Sequence, residues 1–181
     1  MKLTKVILGG LIFSCLGTAT TLYLLNKRKT TPKGIIPIRP FNINKFLGKW
    51  YEIARIDFFF EKNMENVIAE YSLNFDGSLR VLNSGHNFKK KKYKISAGKA
   101  IYNYNNEGKL LISFFGKFYS GFNVISIDDE YKYALVTGNS RKYLWILSRE
   151  KEMPLEIIED FLIKAHNLNY DISKLVWTNH S

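Results

Sequence analysis

The chain has 181 residues, 27 Lys plus Arg against 16 Asp plus Glu, and a formal net charge of +11. A single Cys excludes an intramolecular disulfide framework and a Cys-rich zinc module, and 46% apolar with 15% aromatic residues exclude disorder over most of the length. The charge is unevenly placed: Lys2, Lys5, Lys27, Arg28, Lys29, Lys33 and Arg39 put +7 in the first 40 residues, Lys89–Lys92 with Lys94 add +5, and the remainder sums to −1. A nucleic-acid face would spread Lys and Arg over one surface with base-stacking aromatics between them. Here the aromatics lie in strand-like runs away from the lysines, so no nucleic-acid partner is expected.

In chain order, Val6–Leu25 is a 20-residue stretch without charge, preceded by Lys2 and Lys5. As a helix it would span about 30 Å, the thickness of a bilayer core. Two readings stay open. Lys2 and Lys5 can be the basic start of an export signal with Val6–Phe13 as its apolar part. Ile12-Phe13-Ser14-Cys15 then resembles the lipobox of bacterial lipoproteins, and Cys15 would be freed by cleavage and acylated. Alternatively, the whole run is a single N-terminal transmembrane anchor, which the apolar continuation Leu16–Leu25 favours. The Lys27-Arg28-Lys29 flank would then hold the following chain on the cytoplasmic side. Residues 26–40 hold three of the four prolines and are expected to form an extended linker. The division is therefore 1–25 hydrophobic signal or anchor, 26–40 linker, 41–181 folded domain.

From Lys49 onward, short runs rich in Val, Ile, Phe and Tyr alternate with turn residues. Strands are expected over 49–58, 66–74, 79–86, 93–104, 109–115, 119–127, 131–138 and 142–149. Asp76-Gly77, Asn105-Asn106-Glu107-Gly108, Asp128-Asp129 and Gly138-Asn139-Ser140 supply turns at hairpin spacing. With no βαβ alternation the sheet should be antiparallel, and eight strands followed by one helix point to a closed up-and-down barrel. The helix is expected over Pro154–Asn167, with Leu155, Ile158, Phe161, Leu162 and Ala165 on the buried face. Lys174–Thr178 should return as a small extra strand. Strand alternation turns Tyr71, Tyr102, Phe122 and Trp145 inward. There they either fill a solid core or line a cavity, for which Ala69, Ala100 and Ala134 would leave room.

Asn42-Ile43-Asn44-Lys45-Phe46-Leu47-Gly48-Lys49-Trp50-Tyr51 resembles the lipocalin signature. Trp50-Tyr51-Glu52-Ile53-Ala54-Arg55, Ser113-Phe114-Phe115-Gly116, Phe118-Tyr119, Asn123-Val124-Ile125 and Tyr143-Leu144-Trp145-Ile146-Leu147-Ser148-Arg149 are similar to the bacterial lipocalin and apolipoprotein D-like branch. Thr137-Gly138-Asn139 departs from the Thr-Asp-Tyr usual there. The resemblance covers roughly residues 41–178. It implies an all-β fold: an eight-stranded antiparallel calyx with one C-terminal helix outside. It further implies that Arg149 lies across Trp50 at the closed end, with Gly48 permitting the turn before it. Tyr71, Tyr102, Phe114, Phe122, Tyr143 and Trp145 are then expected to contact ligand.

No catalytic constellation is visible. His86, His166 and His180 have no companions at metal-ligand spacing, and neither a metal nor a cofactor is expected. His180 should sit in a frayed tail, and Glu52 should be a partly buried carboxylate near the barrel floor. The resemblance implies a protein of the bacterial cell envelope, an outer membrane lipoprotein facing the periplasm, that stores or transports a fatty acid or lysophospholipid for envelope maintenance. A lipocalin-fold enzyme on a lipophilic substrate and an interaction protein using the barrel exterior remain as alternatives, and a homodimer is left open. Lys89–Lys92 should sit in the turn between strands three and four, at the mouth or as a solvated tip. Phe58-Phe59-Phe60 lies by the first-to-second loop, to dip into lipid or to pack beneath that loop.

Overall fold

The computed structural model describes residues 30–56 and 62–180. Val6–Leu25, Cys15 and Phe58-Phe59-Phe60 lie outside the described residues. A short helix, α1 (Ile43–Phe46), is started by Asn42, whose side chain accepts from the backbone N–H groups of Asn44 and Lys45. The strands β1 (Gly48–Ile56), β2 (Met64–Leu73), β3 (Leu79–Asn87) and β4 (Lys92–Tyr102) follow, then β5 (Lys109–Phe115), β6 (Phe118–Ile127), β7 (Tyr133–Thr137) and β8 (Leu144–Ser148). The chain ends with α2 (Leu155–Asn167), a 3-10 turn at Ile172–Lys174 and β9 (Leu175–Trp177). Each of β2 to β7 pairs antiparallel with the next, β8 pairs with β1, and β1 returns to β2, which closes the barrel. This is the expected calyx with its added strand.

The seam between β1 and β2 is short. Their pairing runs from Gly48↔Tyr71 to Tyr51↔Ile68. Beyond it β9 lies along β1, with Ala54 opposite Trp177 and Ile56 opposite Leu175, and Asn66 N donates to Asn179 O at 2.8 Å. The C-terminal tail thus fills the gap. His180, expected in a frayed end, donates Nε2–H to Glu52 O at 2.7 Å and packs edge-on against Tyr51.

Apolar residues form two cores, as alternate strand positions require. One fills the closed half of the barrel around Phe41, Phe46, Trp50, Leu79 and Leu110. The other lies between the outer face of β1, β6, β7 and β8 and α2, where Phe161 and Ala165 are buried against Ala54, Leu135, Leu144 and Ile146. Leu155, expected on the buried face, is 68% exposed, and Ile157 in the same turn packs on the core instead. Pro154 stands just before the helix.

The part of the expected linker that is described is packed on the barrel. Ile38 N donates to Val124 O and Ile38 O accepts from Gly108 N, both at 2.9 Å. Buried Asn123 donates to Thr30 O at 3.0 Å and accepts from Thr31 Oγ1 at 3.0 Å. Gly121 makes this approach possible: a Cβ there would fall 1.6 Å from Thr30 O. Gly121→Ala is therefore expected to displace this segment and to lower stability by about 1–3 kcal/mol. The check is faster tryptic cleavage after Lys33 together with a lower urea midpoint.

Candidate functional site

The interior divides along the barrel axis into a closed base and an open cavity. Trp50, fully buried, donates Nε1–H to Phe46 O at 2.8 Å and carries Phe46 on its ring at 4.9 Å. Phe46 in turn contacts Tyr71 at 5.2 Å and Phe122 at 6.1 Å, so α1 plugs the base with aromatic rings. From outside, the Arg149 guanidinium lies 3.8 Å from the Trp50 ring centroid. Its N–H groups donate to Lys49 O at 2.7 Å, Lys45 O at 2.8 Å, Leu47 O at 2.9 Å, and Phe46 O and Tyr131 O at 3.2 Å. Gly48 has a φ of +92°, the left-handed region glycine tolerates, which turns the chain from α1 into β1 beneath that guanidinium. Partial burial lowers the Arg149 pKa, but its ordinary value is high enough that it stays charged.

Above the base is a cavity of about 260 Å³. Tyr71, Phe122, Ile112, Val81 and Leu147 line its deeper part, and Ala69 leaves space on β2. Phe114, Tyr143 and Trp145 line it as well, Tyr143 and Trp145 being stacked within 10° at 6.2 Å. Of the six residues expected to contact ligand, Tyr71, Phe114, Phe122, Tyr143 and Trp145 stand in this wall. Tyr102 does not. It faces inward, but at the base, where its ring packs 5.9 Å from Phe41 and its hydroxyl donates to Phe41 O at 3.4 Å. Alternation gave the correct face but not the depth along β4. Burial raises the Tyr102 pKa, so it is neutral at physiological pH.

Besides Ser120, two polar features interrupt the apolar wall. Glu52 lines the cavity, is 3% exposed, and meets Arg55, 1% exposed, at 2.6 Å. Thr178 Oγ1 donates to the same Glu52 oxygen at 2.6 Å, so the C-terminal tail completes the cluster. Residues three apart on a strand ordinarily face opposite sides. Here a bulge between Glu52 and Ala54 resets the alternation and sets Arg55 opposite Trp145. Arg55 was not anticipated as an interior residue. Its signal was a charge pair inside an otherwise apolar strand. The second feature is Asn83, whose Oδ1 is buried at the cavity without a hydrogen-bond partner.

Among the described residues no group of three or more His, Cys, Asp or Glu is placed to hold a metal. His86 meets Glu65 through Nδ1 at 2.8 Å, where β2 and β3 pair near the open end.

A closed antiparallel calyx with an aromatic plug below and an apolar cavity above is the architecture of a small-ligand binding protein. The model of the lipocalin-like domain matches residues 41–180, and the chain belongs to the lipocalin family. It is 42% identical to the outer membrane lipoprotein Blc of Escherichia coli (strain K12) over 161 residues, 88% of this chain and 91% of that protein. Apolipoprotein D of Cavia porcellus is 30% identical over 148 residues, covering 78% of each chain. Among solved structures, insecticyanin from the tobacco hornworm Manduca sexta superposes with a TM-score of 0.68 at 23% identity, covering 83% of this chain and 86% of that one, a likeness of fold. The fold and the cavity are thus those of a lipocalin, and over most of its length the chain is similar to outer membrane lipoproteins of that family.

Proposed function

We propose that the cavity takes one amphiphile with a single acyl chain, a fatty acid or a lysophospholipid, which the protein carries or stores in maintaining the cell envelope, and that acylation of Cys15 attaches the chain to the membrane. The observation that carries the ligand reading is the size and chemistry of the cavity. At about 260 Å³ it is at the small end of ligand pockets, and its wall is largely apolar and aromatic. Each methylene buried there contributes about 0.8 kcal/mol. One chain fits this description better than two. Asn83 supplies a polar contact within the wall, and the lysines of the open end suit a carboxylate or phosphate headgroup.

The test is a titration of the purified protein with fatty acid or lysophospholipid, followed by tryptophan fluorescence. Trp145 lines the cavity, whereas Trp50 is sealed in the base and Trp177 is on the exterior. Saturable quenching is expected, and Trp145→Phe should abolish the signal while leaving calorimetric binding within a few-fold. Ala69→Phe should fill the cavity and weaken binding by about 100-fold or more, with the melting temperature nearly unchanged. Undiminished binding by Ala69→Phe would place the ligand elsewhere. For the anchor, the mass of the mature protein decides: acylation at Cys15 is expected, and a chain that retains Met1 would exclude it.

A further inference from the structure

The described chain begins at the open end of the barrel. Thr30 is held by Asn123, against Gly121, and Asn123 also donates to Gly138 O in the turn between β7 and β8. From there the segment descends past Val124 to Phe41, whose N–H donates to Asn106 O at the base. The chain leading up to Thr30 therefore joins the barrel on the side of the mouth. Four residues separate Leu25 from Thr30, five Cα–Cα steps with a reach of at most about 18 Å, and Lys27, Arg28 and Lys29 are among them.

Charge is segregated the same way. Among the described residues, the turns at the open end hold Lys62, Lys89–Lys91, Lys117, Arg141 and Lys142 and no acid. Asp57 and Glu61 belong to the undescribed part of the first turn. The hairpin turns at the closed end hold Asp76, Glu107, Asp128, Asp129 and Glu130 against Lys132, and the β8–α2 connection there adds Arg149 and Lys151 balanced by Glu150 and Glu152. Large apolar side chains accompany the open-end lysines. Phe88, Tyr93 and Ile95 on the β3–β4 hairpin are 47%, 62% and 60% exposed, and Phe118 beside the β5–β6 turn is 76% exposed. The hairpin stands clear, since β4 pairs with β5 no nearer the mouth than Lys99↔Ser113, while β3 and β4 stay paired to Asn87↔Lys92.

From the exit of the chain, the basic turns and the exposed rings, we infer that the open end docks face-on onto the anionic bilayer to which the protein is anchored. The lysines engage lipid phosphates, Phe88 and Phe118 enter the headgroup region, and ligand passes between cavity and leaflet without crossing water. This deepens the proposed lipid-carrier reading and rests on it for the identity of what passes.

The experiment uses the full chain reconstituted into vesicles of phosphatidylcholine with one quarter phosphatidylglycerol, and into phosphatidylcholine alone. Lysines are acetylated with a water-soluble reagent and read by mass spectrometry. In the anionic vesicles, Lys89–Lys92 and Lys117 should label about fivefold or more slowly than in detergent, with Lys45 at the closed end unchanged, and less protection should appear without phosphatidylglycerol. Changing Lys89–Lys92 together to Gln should return Lys117 to its detergent rate. Equal labelling of both ends in anionic vesicles, or protection of Lys45 instead, would overturn the docking. A vesicle-free titration with monomeric lysophospholipid reads the cavity separately, so loss of binding there with the footprint intact would refute the carrier reading alone.

Discussion

Arg149→Ala is expected to lower stability by about 2–4 kcal/mol, a fall of roughly 5–15 °C in melting temperature for a chain of this size. The reason lies in the base of the barrel. One guanidinium satisfies carbonyls at the end of α1, at the start of β1 and in the β6–β7 turn, while lying 3.8 Å over Trp50. Alanine leaves those acceptors to whatever water can reach them and removes a cation–π contact of about 0.5–2 kcal/mol. Arg149→Lys should recover less than half of the loss, because a point-like ammonium can neither fork between the carbonyls nor lie flat on the indole. Urea denaturation of the three proteins checks this. A loss below about 0.5 kcal/mol for Arg149→Ala would mean that α1 closes the barrel without help.

The second large effect is expected at Glu52 and Arg55. Both are almost fully buried and meet at 2.6 Å. Glu52→Ala strands a buried guanidinium, for which about 3–5 kcal/mol is the usual penalty. Replacing both residues, as Glu52→Leu with Arg55→Met, removes the charges together and should return stability to within about 1 kcal/mol of the original. The double variant thus separates the penalty for an unpaired charge from the worth of the pair. If it is as unstable as Glu52→Ala, the cluster contributes through its bonds to Thr178 and the tail.

Most of the fold was legible because its two periodicities are local. Strand alternation between turn-forming residues marks the barrel, and helical spacing marks α2. Both concern neighbours in sequence, and the Gly48-Lys49-Trp50-Tyr51 and Tyr143–Arg149 segments then resemble one family at both ends of the domain. The cavity wall was readable for the same reason: Tyr71, Phe122 and Trp145 follow from parity. What parity cannot give is depth, and Tyr102 shows it, since the base is occupied by Phe41 and Phe46 from a segment outside the strands. Nor can it survive a bulge. A simple count from Glu52 would turn Arg55 to the opposite face, and the irregularity after Glu52 resets that count.

Longer-range features were less accessible still. Residues 30–40 look like a linker by their prolines, yet Ile38 joins the backbone pairing of Gly108 and Val124. The docking depends on Gly121, far along the chain and unremarkable in its own strand. His180 likewise gains its place through the incomplete β1–β2 seam. Each of these arises from a gap or a close approach between segments, for which no local pattern exists.

The most direct test of the lipid-carrier reading is native mass spectrometry of the protein purified from membranes, beside the Ala69→Phe variant. One bound fatty acid or lysophospholipid per chain is expected in the original protein, and none in the variant. An empty original protein that also fails to take up either lipid on titration, or equal lipid on both proteins, would contradict a ligand held in the barrel.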